Sequence, residues 1–245
     1  MSSVYHQFIG LMQSFFVSLN AFWGSSIGKK VVVAITGLLL VVFLLGHLSG
    51  NMLIFVGADA FNDYAYFLHH MLHGAGVWFA RVGLLVAIVL HVIGTIQLTA
   101  INRAARKAYQ VQKSQRSSFS STMMIWSGLT VLAFIVYHIM HFTVRTGTEY
   151  NSEQYEIMLH DHKAHDAYAM VIHGFSSLPV VIAYVVAMIC LCSHLSHGVA
   201  SIFQTLGLRS KKTAGLIDVG SKLYTVLIFF GFISVPLSIF FGLVS

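Results

Sequence analysis

Residues 30–56 read KVVVAITGLLLVVFLLGHLSGNMLIFV, and this stretch decides the fold. It follows Lys29 and Lys30 and contains no Asp or Glu. It is longer than the roughly 20 apolar residues that carry a helix across a bilayer. One ionisable side chain, His47, stands inside it. Such groups are costly in hydrocarbon and are usually kept for function.

The rest of the chain repeats the pattern. Four further apolar runs cover roughly 77–101, 122–145, 167–197 and 222–244. None contains Asp or Glu, and none alternates as a barrel strand does. Across 245 residues, 57% are hydrophobic and 9% charged, too apolar for an ordinary soluble domain. The expected architecture is all-α: a single integral membrane domain over 1–245, with five transmembrane helices. Met1 to Trp23 is apolar but interrupted by His6, Gln7, Gln13, Ser14 and Asn20. It lacks a basic start and a cleavage site, so it reads as an interfacial helix rather than a signal peptide. Pro179 falls inside the fourth run, where a kink is expected. No internal repeat stands out.

Charge orients the helices. Lys29, Lys30, Arg103, Arg106, Lys107, Lys113, Arg116, Arg209, Lys211, Lys212 and Lys222 fall on one side. Only Arg81, Arg145 and Lys163 fall on the other, with Asp59, Asp63, Glu149, Glu153, Glu156, Asp161 and Asp166. The positive-inside rule makes the N-terminus cytoplasmic and the C-terminus external. The basic residues flank apolar segments and form no continuous face, which argues against nucleic acid. They suit anionic lipid or a partner subunit. Cys190 and Cys192 are two apart on a helix and point in different directions, so no disulfide is expected.

Of fourteen histidines, His69, His70, His73, His160, His162 and His165 lie in outer loops or at helix ends and read as solvated. A metal site in the exposed 160–165 run is the lesser reading. His173 lies near the outer end of the fourth run. Depth sorts the others. His47 is 17 residues past Lys30 and His138 is 17 past Ser121, about 25 Å in at helical rise. His91 is 11 residues before Asn102, about 16 Å from the cytoplasmic edge, and His194 also lies toward that edge. The expected pairs are His47 with His138 in an outer layer and His91 with His194 in an inner one. His141 and His197 follow their neighbours by three residues and are the alternatives. Gly46, Gly50, Gly94 and Gly198 lie near the candidates, where backbone could approach a flat group or another helix.

Zinc would want four converging ligands, commonly including thiolate or carboxylate. Two imidazoles per layer suit haem, whose porphyrin supplies the other four ligands. The iron would have no open position, which favours electron transfer. There is no Cys-x-x-Cys-His, so covalent c-type attachment is excluded. The competing readings are a di-haem anchor of another dehydrogenase and a haem-free transporter; the latter would be expected to use intramembrane carboxylates.

Several ordered motifs resemble one family. They are Ser25-Ser26-Ile27-Gly28-Lys29-Lys30, Thr36-Gly37, His47-Leu48-Ser49-Gly50-Asn51, Ala60-Phe61-Asn62-x-Tyr64, Arg81, His91 and Leu98-Thr99-x-x-Asn102-Arg103. His138 with Phe142, His194-Leu195-Ser196-His197-Gly198 and Phe203-Gln204-Thr205-Leu206-Gly207 complete the set. Over about 24–243 the chain resembles the cytochrome b subunit of succinate dehydrogenase/fumarate reductase (complex II), in its single-chain, five-helix, di-haem form.

The resemblance implies two b haems, pairing of first with third and second with fourth helix, and His194 rather than His197 as ligand. It also implies a flavoprotein subunit carrying FAD, an iron–sulfur subunit, a quinone (menaquinone) as substrate, and a bacterial cytoplasmic membrane, with room for a higher oligomer of the complex. Some quinol-oxidising members carry Glu two residues before the fourth-helix ligand; here that residue is Cys192, which speaks for quinone reduction by succinate. Propionate partners would be Arg81 on the outside and Ser25, Lys29 or Lys30 on the inside. Asn51, Asp59, Asn62, Asp63, Tyr64 and His73 are candidates for an outer quinone pocket.

Overall fold

The computed structural model describes residues 2–107 and 119–245. Helix α1 (Ser2–Gly24) leads into α2 (Ser26–Met52), which tightens into a 3-10 turn at Leu53–Phe55. Then come α3 (Ala58–His70), α4 (Ala75–Lys107) and α5 (Phe119–His138), the last continuing as a π-helix over Ile139–Val144. A short hairpin, β1 (Glu156–Leu159) and β2 (His162–His165), precedes α6 (Ala167–Phe175), α7 (Leu178–Thr205) and α8 (Ala214–Phe240). By the orientation expected from charge, the hairpin end of the bundle is labelled outer and the Lys29 end inner.

Among the described residues, five helical stretches are long and apolar enough to cross a membrane: Ser26–Phe55, Ala75–Ala105, Met124–Val144, Leu178–Thr205 and Ala214–Phe240. The protein is therefore essentially all-α, with the composition of a multi-pass membrane protein. Two boundaries differ from the sequence expectation. The fourth run is two helices, α6 and α7, broken at Ser176 and Ser177. Pro179 lies in the first turn of α7 and does not kink its middle. In the first turn the proline's missing N–H costs no helical hydrogen bond, so it is tolerated there. The fifth helix begins at Ala214 rather than 222, so Lys222 lies within it.

The bundle core is made by α7, which packs against α8, α5 and α2, while α2 also packs against α4. Leu48, Met188, Leu195 and Ile228 are buried where α2, α7 and α8 meet. A Cβ on Gly231 would stand 2.6 Å from Leu48, so a side chain there would push α8 off α2. The Tyr224 hydroxyl donates to the Val41 carbonyl at 2.8 Å across the same contact. A second buried cluster, with Ile54, Phe175, Tyr184 and Ile239, lies toward the hairpin end, while many other large apolar side chains are exposed. On α4, Trp78, Phe79, Val82, Leu85, Val89, Ile93 and Ile96 form an exposed stripe at helical spacing. Water would not tolerate so long an apolar face, and lipid does.

The corner between α1 and α2 is locally determined. Ser25 caps α2 by accepting from the Gly28 amide at 2.8 Å, and its hydroxyl donates to Phe22 O. Lys29 is buried, and its ammonium donates to the Trp23 and Gly24 carbonyls at 2.6 and 3.0 Å. It thus satisfies the C-terminal carbonyls that α1 leaves open.

The outer end is capped by α3, the hairpin and α6. The hairpin turns at His160 and Asp161, both with positive φ, as a two-residue turn of this hand requires. His165 lies opposite Glu156 and is half-buried, with its Nε2 3.4 Å from the Met170 sulfur. Burial first, and then the nearby Arg145 guanidinium, depress its pKa to about 4. An unfolded histidine titrates near 6.5. Between these values the unfolded chain binds more protons, so the stability this site contributes is lost as pH falls from about 6.5 toward 4. Thermal unfolding between pH 7 and 4, followed by protease cleavage of the hairpin, should show a loss of stability that His165→Phe makes smaller. An identical pH slope in that variant would remove His165 as the cause.

Candidate metal centre

Two histidine pairs face each other across the bundle. The rings of His47 on α2 and His138 on α5 have centroids 5.7 Å apart with planes at 79°. Those of His91 on α4 and His194 on α7 are 6.4 Å apart at 66°. These are the pairs that depth along the helices predicts. An imidazole nitrogen binds a metal at about 2 Å, so two rings opposed across one ion have centres roughly 6 Å apart. Among the described residues no group of three or more His, Cys, Asp or Glu could hold a metal ion. Each pair thus offers two nitrogens and no further side-chain ligand, which fits a metal that brings its remaining ligands with it.

The inner pair is held by backbone and hydroxyl. His91 Nδ1 lies 3.2 Å from the Val33 carbonyl and 3.3 Å from Thr36 Oγ1. His194 Nδ1 lies 3.5 Å from Ser127 Oγ. With Nδ1 turned to an acceptor, the neutral imidazole keeps its lone pair on Nε2. His194 is eleven residues before the end of α7 at Thr205, about 16 Å along the helix, and His91 is the same distance from Asn102 within α4.

The outer pair is held by side chains. His138 Nδ1 is 3.1 Å from the Tyr184 hydroxyl, which also lies 3.2 Å from His141 Nδ1. His141 is buried, with its Nε2 3.4 Å from the Tyr150 hydroxyl. The chain passes into the π-helix immediately after His138, a local widening that is common at functional sites. It ends at Arg145, whose φ is +61°. His141 is thus committed to two tyrosines and forms no ring pair with His47. Asn51 donates to the His47 carbonyl at 2.7 Å and lies 3.4 Å from its Nε2, while Phe43 stacks on that ring.

The other candidates are scattered. Arg81 lies over the Trp78 ring and 3.4 Å from His69 Nε2, at the outer end of α4. Ser25 and Lys29 build the α1–α2 corner, and Lys30 is exposed. Asn62 is structural: it donates to Asp166 Oδ1 at 3.0 Å and accepts from the Tyr168 amide at 2.9 Å, fastening α3 to α6. Asp63 pairs with His160 at 2.9 Å on the surface. Tyr64 lies over Gly50, whose Cβ would come within 2.5 Å of its ring. His73 is exposed in a turn, with φ +55°, and Asp59 is exposed in the first turn of α3. His197 lines an inner-end cavity of about 230 Å³ with Met124, Ala200, Ser201, Gln204 and Arg209, rather than facing His91. Gly50 and Gly94 are covered by neighbouring side chains, whereas a Cβ on Gly46 or Gly198 would meet nothing within 4 Å.

Sequence reasoning missed the partners Ser127, Gly128 and Tyr184, and used Thr36 and Gly37 only as part of a motif. A signal for four of them existed. Thr36-Gly37-Leu38 precedes His47, and Ser127-Gly128-Leu129 precedes His138, at the same spacing. The chain does contain a sparse repeat.

Comparison with protein families, curated proteins and solved structures finds no match to this chain.

Asn62→Leu should lower stability by about 1–3 kcal/mol, because the part-buried Tyr168 amide loses its acceptor. A fall in the unfolding midpoint in detergent, with faster proteolysis of α3, checks this. An unchanged midpoint would show that the contact carries little.

Proposed function

We propose that this chain is the di-haem membrane anchor of a quinone oxidoreductase of the succinate dehydrogenase/fumarate reductase type. The observation that carries the reading is the pair of facing histidine couples, stacked at two levels and each free of other metal ligands among the described residues. His47 and His138 would hold the outer haem, and His91 and His194 the inner. Bound there, haem b would supply one-electron transfer.

The chain's own residues do the rest. Tyr184 holds the His138 ring, and Thr36 and Ser127 hold the inner rings. Apolar side chains such as Phe43, Phe134 and Phe232 surround the outer pair and exclude water. Asn51 and Tyr64 lie toward the outer rim, where a (mena)quinone head group needs one or two hydrogen-bond partners. The Lys- and Arg-rich inner end would face the cytoplasm and dock the iron–sulfur subunit, with the FAD-bearing flavoprotein beyond it. The membrane would be a bacterial cytoplasmic membrane, with the hairpin end outside.

In membranes containing the assembled complex, succinate should reduce b-type haem and the quinone pool. His91→Ala should remove one of two haem components from the reduced spectrum and His47→Ala the other, while His141→Phe should retain both. Loss of a haem in His141→Phe with retention in both alanine variants would overturn the ligand set. Reduction by a different dehydrogenase substrate and not by succinate would move the chain to another quinone-linked enzyme.

A further inference from the structure

Both inner imidazoles sit in the same three-part holder. On α2 the holder is the Val33 carbonyl, the Thr36 hydroxyl three residues on, and Gly37 beside it. On α5 it is the Ser127 hydroxyl and Gly128, with the Met124 carbonyl, to which Ser127 donates, three residues back. Each hydroxyl donates back to its own helix: Thr36 to the Val32 carbonyl at 2.7 Å, with the Val33 carbonyl at 3.2 Å, and Ser127 to the Met124 carbonyl at 3.2 Å. Each hydroxyl oxygen faces Nδ1 of the histidine, at 3.3 Å for His91 and 3.5 Å for His194. A Cβ on Gly37 would lie 3.2 Å from His91 Cε1, and one on Gly128 would lie 3.3 Å from His194 Cε1. Eleven residues beyond each hydroxyl stands the outer histidine, His47 or His138, about 16 Å along the helix.

The agreement covers residue type, ring atom, glycine clearance and spacing to the next layer. It holds although the chain between hydroxyl and histidine differs, 55 residues in one case and 67 in the other. The pairs α2–α4 and α5–α7 are thus two copies of one unit that presents an inner and an outer imidazole. The outer rings share no such holder: His47 has an amide beside it and His138 a phenol.

Resting on the haem reading above, we propose that Thr36 and Ser127 are matched positioning residues for the inner haem alone, with Gly37 and Gly128 setting how closely each ring approaches its neighbouring helix. An acceptor on Nδ1–H fixes the tautomer, aims Nε2 across the bundle and makes the imidazole a stronger donor to the metal. Removing a hydroxyl weakens that donation, and at His91 the Val33 carbonyl remains. The haem therefore stays, and its reduction potential rises. The glycines act by space: a larger side chain displaces the ring and removes the haem.

The test is a redox titration of the full chain in its native complex, for wild type, Thr36→Val, Ser127→Ala and the double variant. Two haems should remain. One midpoint, belonging to the haem lost in His91→Ala, should shift upward in each single variant and further in the double, while the other stays fixed. Thr36→Ser and Ser127→Thr, which keep a hydroxyl, should leave both midpoints at wild-type values. Gly128→Leu should lose only the inner haem. If Thr36→Val fails to assemble, Ser127→Ala and the hydroxyl-retaining pair still decide. Two bound haems with both midpoints unmoved, with both moved equally, or with only the outer one moved would overturn the proposal. Wild-type chain without b-type haem would instead overturn the functional reading on which it rests.

Discussion

An imidazole placed in hydrocarbon has two nitrogens to satisfy, and the bundle is organised around doing so. A helix uses its own backbone carbonyls and has few to spare. In the inner layer, a side-chain hydroxyl shares a helix carbonyl with the facing histidine. In the outer layer, a tyrosine hydroxyl serves two histidines at once. One nitrogen is thereby settled on each of His91, His138 and His194, and the pairing of rings across the bundle leaves the other for a shared partner. A buried polar group without a partner costs several kcal/mol in such surroundings.

The packing follows from that arrangement. Helix α2 must touch α4 to hold His91, and α5 must touch α7 to hold His194. The two pairs then close on each other through α2 and α7, and α8 covers the seam. The Gly231 contact under Leu48 and the Tyr224 bond to α2 fix that cover. The outer cap is a separate construction built on Asn62, Asp166 and the hairpin, and it covers the end nearest the outer histidines.

Much of this was legible in the sequence because helical rise acts as a ruler. Seventeen residues from Lys30 and eleven from Asn102 place His47 and His91 in different layers without any coordinates. The same ruler separates His138 from His141 by less than a helical turn, and the facing His47 ring and the Tyr150 hydroxyl then distinguish them. The break before Pro179 was not legible in hydropathy, because α6 and α7 are both apolar and the two serines between them change the average little. The hydroxyl partners were hidden for another reason. Thr36 and Ser127 meet histidines 55 and 67 residues away, and helical periodicity carries no information at that range. Asn62 was grouped with polar quinone-pocket candidates, yet its amide is used in holding α3 to α6.

The central claim is that each facing pair holds one haem, and the most direct measurement is the haem b content of the purified full chain, by pyridine haemochrome against protein concentration. The account predicts two haems per chain. A preparation that is folded, membrane-extracted intact and contains none, or only one, would contradict it.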